Sequence, residues 1–386
     1  MGETECPAPA AAEVAMARAV AGEGPAYLPE FKQSAPGTMG IELELMVLDR
    51  LTYDLLPAAP DILRLLNQTK RAWVATPEVT TSMLEVATSI LHDYEEALTQ
   101  IEEIRSTVLQ AAFDVGAAIS GGGAHPFQRW NERRIYPKER YRESARKYGY
   151  LAKMFTVFGM HVHVGMPSAD DARSNVVGAF PMSGTMPSHI RTWHHFVQHF
   201  ERLAAHGIVN SIKDFYWDVR PKPEYGTIEL RVLDTPLQPA YAAALASYAR
   251  ELCLEALHAP ARWVDDGARE LYVWNRFNAA KQGIDALWID PYNGRALPVR
   301  DVVREDLARL AKRLTDPHFG AARRAIEDLL TAGGQARWLK DHIADGASMN
   351  DVARVASEAF ERPLPGSLER WSVATEKETA DAGAAG

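Results

Sequence analysis

The feature that most constrains how this chain can fold is a pattern of charge inside strand-like stretches. In GMHVHVG, residues 159 to 165, side chains alternate with a period of two, so His161 and His163 face one way while Met160, Val162 and Val164 face the other. The arrangement recurs. Glu42 and Glu44 share a face in GIELEL, Glu229 and Arg231 share one in GTIELRV, and Glu85 stands among apolar neighbours in TSMLEVAT. Taken singly, Glu-x-Glu reads as a solvated strand face, His-x-His as surface or core filler, and Glu229 with Arg231 as a surface ion pair worth little. Four strands in agreement predict a sheet that packs one face on helices and presents Glu42, Glu44, Glu85, Glu229, His163 and Arg231 to one common surface.

Helical and strand periodicities alternate irregularly along the rest of the chain. Strands are expected over 38–49, 81–90 and 226–235, and AAISGGGAHP reads as a strand entering a glycine-rich loop. That loop suits a tight turn as well as a phosphate cradle, since no P-loop lysine follows it. Helices are expected from Asp61, as N-cap, through DILRLLNQ, from about Asp93 to Phe113, over 190–209, and through most of the chain beyond 239. His194, His195 and His199 include an i,i+4 pair but lack a zincin glutamate, and read as structural or exposed. There is no fixed-period repeat and no long linker. The expected class is α+β, with a largely antiparallel sheet and helices packed on one face. Residues 1–30 and 365–386 read as solvated tails around a single catalytic domain over 31–364.

Composition excludes several functions. A net charge of -9 argues against a general nucleic-acid binder, which needs a basic face to neutralise phosphates. The two cysteines, Cys6 and Cys253, support neither a disulfide framework nor a cysteine zinc site. No basic n-region and apolar h-region opens the chain, and no apolar run reaches membrane-spanning length, so a cytoplasmic protein is expected.

Several carboxylates within a few ångströms raise one another's pKa, and each desolvated anion costs several kcal/mol. Divalent cations resolve the conflict. Hard Mg²⁺ or Mn²⁺ prefers carboxylate oxygens and leaves positions open for water and phosphate oxygens, which predicts a Mg-nucleotide site. A zinc hydrolase using His161 and His163 is a competing expectation, weakened by the lack of further histidines at strand ends. Asn275 and Arg276, in VWNRFNAAKQG, open a basic helical patch in which Arg276 either clamps a phosphate or carboxylate or is a plain surface arginine.

TMGIELELMVLD, EVTTSMLEVAT, ISGGGAHPFQRW, VFGMHVHVG, SIKDFYWDVRPKPEYGTIELRVLDTPL and NRFNAAKQGIDA, in that order, resemble the bacterial carboxylate-amine ligases called glutamate-cysteine ligase type 2, over the stretch from Tyr27 to Leu364. The resemblance implies a sheet of the glutamine synthetase catalytic type, ATP and Mg²⁺ (or Mn²⁺) as co-reactants, amino-acid substrates, a homodimer, and weak formation of γ-glutamylcysteine through an acyl phosphate. It implies metal-binding roles for Glu42, Glu44, Glu85, His163 and Glu229. Arg231 and Arg276 would stabilise the transferring phosphoryl group or hold the glutamate-like substrate, with Asn275 beside them in nucleotide binding. Arg173 would meet the substrate, and His161 would either meet it too or stand behind the metal ligands as a hydrogen-bond partner. One departure stands out: after HVHVGMPSADDA the chain moves at once to RSNVVGAFPMSGTMP, where relatives carry an additional helix and a Ser/Pro/Gly-rich loop. A missing segment there predicts a mispositioned Arg173, exposed apolar surface and lowered stability or altered oligomerisation. The alternative function is therefore a catalytically impaired Mg-nucleotide-binding protein of the same fold.

Overall fold

A computed structural model describes residues 27–154, 157–168, 183–184, 187–259, 264–312 and 318–362. Seven strands form one antiparallel sheet: β1 (Met39–Asp49), β2 (Val74–Pro77), β3 (Met83–Ala87), β4 (Ala117–Ser120), β5 (Gly159–Gly165) and, after a separate two-residue parallel pair β6 (Ser183–Gly184) and β7 (Tyr216–Trp217), β8 (Val219–Lys222) and β9 (Thr227–Asp234). The order is β2-β3-β1-β5-β9-β8. On the side away from β3, β1 carries β5 along its first half and β4 along its second. A small hairpin, β10 (Leu287–Ile289) and β11 (Ala296–Pro298), lies apart.

Period-two alternation divides the faces. Ile41, Leu43, Leu45 and Val47 of β1, Leu84 and Val86 of β3, and Met160, Val162 and Val164 of β5 enter the main core. Each such aliphatic side chain contributes about 2 kcal/mol on burial. Helices Tyr94–Asp114, Ala240–His258, Val299–Leu310 and Phe319–Thr331 supply the opposing layer. The 240–258 helix approaches β1 and β5 through Ala242, Ala243, Ala244 and Ala246, all fully buried, because a methyl side chain lets a helix axis come close to a sheet. On the other face β1 changes character along its length. Glu42 and Glu44 give way to Met46 and Leu48, which join Leu55, Met83, Ala118 and Phe158 in a small apolar cluster at the end of the charged surface.

The expected α+β architecture is present, with differences of detail. The strand expected over 81–90 spans only Met83–Ala87, and the 190–209 helix spans Trp193–Ala205, capped by the Thr192 side chain. The helix expected from about Asp93 to Phe113 spans Tyr94–Asp114, and Asp93 caps it, accepting from the Glu96 N–H. Asp61 does not cap: its helix starts at Ala59, because Pro60 suits the first turn, and Asp61 lies inside that turn. Strands β2 and β8 went unread because Pro77 and Pro221 disguise them, and both are edge strands, where a residue without an N–H is tolerated. His199 stacks beside Phe215 and Trp217, in keeping with a structural role.

The glycine run is a close-approach device. A Cβ on Gly121 would lie 2.1 Å from the Pro236 carbonyl oxygen, and one on Gly123 would lie 2.4 Å from the Asp234 carboxylate. Between them the Gly122 N–H donates to the Thr235 carbonyl at 2.7 Å. The loop is thus clamped on residues 234–236, which explains its composition without a phosphate. Gly121→Ala should destabilise by about 2 kcal/mol or more, whereas Gly294→Ala, at φ +72 but in open space, should cost only about 1 kcal/mol; urea denaturation midpoints check both.

Candidate active site

Strand register assembles the charged groups. Glu44 lies opposite Glu85, Glu42 opposite His161, Gly40 opposite His163, His163 opposite Glu229, and Glu229 opposite Arg220. Five neighbouring strands therefore aim acidic, imidazole and guanidinium groups at one surface.

His161 stands at the centre and is buried. Its Nδ1 lies 2.9 Å from Glu42 Oε2, and its Nε2 lies 4.0 Å from Glu44 Oε1. His163 Nδ1 lies 3.1 Å from Thr227 Oγ1, while its Nε2 lies 3.2 Å from Glu42 Oε1 and 3.9 Å from Glu229 Oε1. The contact to Glu42 is too bent for a hydrogen bond, so His163 Nε2 is a buried nitrogen without a hydrogen-bond partner. Burial alone would raise the Glu42 pKa, but the two imidazoles hold it well below the usual carboxylate range. Burial also lowers His161 to about 4, aided by the Arg231 charge, so this ring is neutral at physiological pH.

Glu229, 1% exposed, is the best-compensated anion. Arg220 donates from Nε to its Oε2 at 2.8 Å and from Nη2 to its Oε1 at 3.1 Å, and Arg231 Nη1 donates to Oε1 at 2.7 Å. Against the rise that burial alone would cause, Arg220 and then Arg231 hold Glu229 well below its ordinary pKa. Arg231 and Val232 form a β-bulge, two residues of β9 set against His161 of β5.

The opposite end of the surface is under-compensated. Glu44 accepts the Gly159 N–H at 2.7 Å but is raised well above its ordinary pKa by burial and by the charge of Glu78. Glu85 accepts the Thr76 hydroxyl at 2.8 Å and is raised to about 7 by burial, then Glu78, then Glu42. Glu78 is itself raised by burial, against the opposing pull of Arg140, whose Nη2 is 3.2 Å away. The buried Tyr141 hydroxyl donates to the Pro77 carbonyl at 2.6 Å and lies 3.0 Å from Glu78. Carboxylates that repel in this way lack positive charge.

Among the described residues, two groups of donors lie within metal-chelating reach, each with its donor atoms within 4.8 Å of one another: Glu42, His161 and Glu229, and Glu44, Glu85 and His161. The structure thus brings together Glu42, Glu44, Glu85, Glu229, His161, His163 and Arg231. Arg276 pairs with Asp218, just ahead of β8, its Nε 3.0 Å from Oδ2. Asn275 is committed elsewhere: its amide donates to the Ile289 carbonyl at 2.7 Å and accepts the Ile289 N–H at 2.9 Å, tying β10 to its helix. Arg173 lies outside the described residues. Arg220 and Glu78 were not foreseen. Arg220 could have been found from the alternation of Arg220 and Lys222 in VRPK, but Glu78 follows a proline beyond a strand end, where no periodicity marks it.

Comparisons with known proteins show the family and the fold. The family model described as Glutamate-cysteine ligase family 2 matches residues 38–177 and 170–358, in two blocks that meet where the sequence moves directly to RSNVVGAFP. A protein of Acidovorax ebreus (strain TPSY), provisionally named glutamate-cysteine ligase 2, is 38% identical over 368 residues, which cover 86% of this chain and 98% of the relative. A similarly named protein of Leptothrix cholodnii is 40% identical over 361 residues, covering 82% of this chain and 94% of the relative. In both cases the aligned length exceeds the share of this chain that takes part, so the relatives hold positions this chain lacks. Among solved structures, a glutamate-cysteine ligase of Francisella tularensis in complex with AMP is similar in fold, with a TM-score of 0.59 at 15% identity, over 86% of this chain and 90% of that one. A bifunctional glutathione synthetase of Pasteurella multocida gives 0.54, over 84% of this chain and 51% of that one. By the family match and by relatives aligned over most of their length, the chain belongs to glutamate-cysteine ligase family 2.

Proposed function

We propose that the protein is an ATP-dependent carboxylate-amine ligase of the glutamate-cysteine ligase type. One observation carries the reading: in a chain of this family, the buried acidic face of the sheet holds more negative charge than its own basic groups compensate. In this reaction a substrate carboxylate oxygen takes the γ-phosphoryl group of ATP, giving an acyl phosphate and ADP. An amine nitrogen then attacks the acyl carbon, a C–N bond forms and inorganic phosphate leaves. The chemistry asks for positioning and charge neutralisation rather than for a protein nucleophile.

The donors fit hard divalent cations. They are mostly carboxylate oxygens, supplemented by neutral imidazole, and the unpartnered His163 Nε2 adds one more lone pair. A neutral imidazole carries one lone pair and one N–H, so His161 can serve only one of the two groups. With Nδ1–H donating to Glu42, its Nε2 falls to Glu44 and Glu85; His163, donating through Nδ1–H to Thr227, then turns Nε2 towards Glu42 and Glu229. Bound Mg²⁺ or Mn²⁺ would neutralise phosphate charge and orient the transferring group. Arg231, oriented by Glu229, and Arg276, paired with Asp218, would offset the remaining charge. His161 is thus read as a metal donor and not as a substrate contact.

One continuous core runs from Met39 to Phe360 and supports a single catalytic domain over 31–364. No helix among the described residues is long and apolar enough to cross a membrane. A cytoplasmic homodimer is part of the proposal. The second reading, a Mg-nucleotide-binding protein with impaired catalysis, is favoured by the positions that relatives hold and this chain lacks.

Steady-state ADP release with ATP, Mg²⁺, glutamate and a panel of amines including cysteine decides between the two. Amine-dependent release is expected, falling at least about 100-fold in Glu42→Gln or Glu44→Gln. Calorimetric binding of Mg-ATP without turnover on any amine would transfer the case to the second reading. Cation binding must also displace the proton that Glu85 retains up to about pH 7. The rise in melting temperature produced by Mg²⁺ over EDTA should therefore be larger at pH 8 than at pH 6, and Glu85→Gln should abolish most of that difference.

A further inference from the structure

The buried Asp218 occupies the joint between β7 and β8, where contacts from β6, β9 and a helix meet. Its Oδ2 lies 3.0 Å from Arg276 Nε on the 266–282 helix. Its carbonyl accepts the Arg231 N–H at 2.6 Å, at the bulge that sets Arg231 against His161. Its own N–H donates to the Gly184 carbonyl at 3.3 Å. Two residues further on, Arg220 holds Glu229 through two hydrogen bonds, and Glu229 accepts from Arg231.

Arg276 comes from a helix outside the sheet and is 39% exposed at its side chain, so nothing in the sheet's own register orients it. An arginine in that position has many rotamers, and a bound phosphate would have to select one. A carboxylate oxygen 3.0 Å from Nε, the inner atom of the fork, restrains the guanidinium by charge before ligand arrives. The same residue also fixes the backbone of the bulge from which Arg231 projects. Preorganised cations of this kind contribute most where charge is redistributed in the transition state.

We propose that Asp218 is the positioning residue that aims Arg231, through its backbone, and Arg276, through its carboxylate, at the transferring phosphoryl group. In naming that group the inference rests on the ligase reading; the orientation of the two arginines towards bound nucleotide phosphate does not. Asp218→Asn keeps the backbone carbonyl and the side-chain volume while removing the charge that holds Arg276.

The test is a double-mutant cycle on the full chain, read out as the dissociation constant of Mg-ATP by calorimetry and as KM and kcat for ADP release. Asp218→Asn should weaken Mg-ATP about tenfold and raise KM for ATP alike, with KM for the amino acid within about twofold. Asp218→Asn combined with Arg276→Gln should bind Mg-ATP no more weakly than Arg276→Gln alone, and Asp218→Glu should recover part of the loss. An Asp218→Asn constant within about twofold of the parent, or effects that multiply in the double variant, would overturn the proposal. If Asp218→Asn fails to fold, Asp218→Glu decides: a lowered melting temperature with an unchanged Mg-ATP constant means a structural role only. A parent protein that binds Mg-ATP but releases no ADP removes the ligase reading and leaves the binding cycle to judge Asp218; a parent that binds no Mg-ATP removes both.

Discussion

Placing Glu42, Glu44, Glu85 and Glu229 on one face of a sheet is unfavourable, and the surrounding structure is arranged around offsetting that cost. An uncompensated anion at such a position changes its protonation or demands a cation. Both responses occur. On the β9 side, Arg220 and Arg231 keep Glu229 ionised, and Glu42 is kept so by His161 and His163. On the β3 side, Glu44, Glu78 and Glu85 press one another upwards, with Arg140 and Tyr141 only partly relieving Glu78. The site is thus polarised, satisfied at one end and short of positive charge at the other.

The rest of the fold serves this asymmetry. The helical layer buries the opposite face of every strand that carries a charged group, which denies the sheet any alternative register: a slip of one residue would turn Ile41, Leu43 and Leu45 outwards and Glu42 and Glu44 into the core. The glycine loop at 121–123, clamped on 234–236, ties the end of β4 to the end of β9. Thr235 completes the tie, its hydroxyl within 2.8 Å of both the Glu44 and Gly159 carbonyls. Two carboxylate-bearing strands, β1 and β9, are therefore held in fixed relation to β5. Family membership is shown by the family match, and the likeness to a solved ligase extends to the fold.

Much of this was legible before any coordinates. The strands β1, β3, β5 and β9 follow from alternation, and the shared face of Glu42, Glu44, Glu85, His161, His163, Glu229 and Arg231 follows from it as soon as those strands are neighbours. Residues that lack periodic context were not legible. Glu78 sits after Pro77, Arg220 is hidden beside Pro221, and the partner of Arg276, Asp218, lies in a two-strand joint with no pattern of its own. Asn275, a polar residue beside a candidate arginine, looked like part of a binding patch, and the structure adds a contact the sequence did not suggest, a hydrogen-bond pair on the Ile289 backbone.

What the sequence by itself determined is which side chains share a strand face, because the pleat has a period of two and the apolar partner positions admit only one orientation towards the core. What only the tertiary structure decided is who compensates whom. Whether Glu229 meets two arginines, whether His161 or His163 offers an N–H to a given carboxylate, and whether Glu85 retains its proton to about pH 7 depend on distances of a few ångströms between strands far apart in sequence. Electrostatic energy in a buried site varies steeply over such distances, and no local pattern in the chain encodes them.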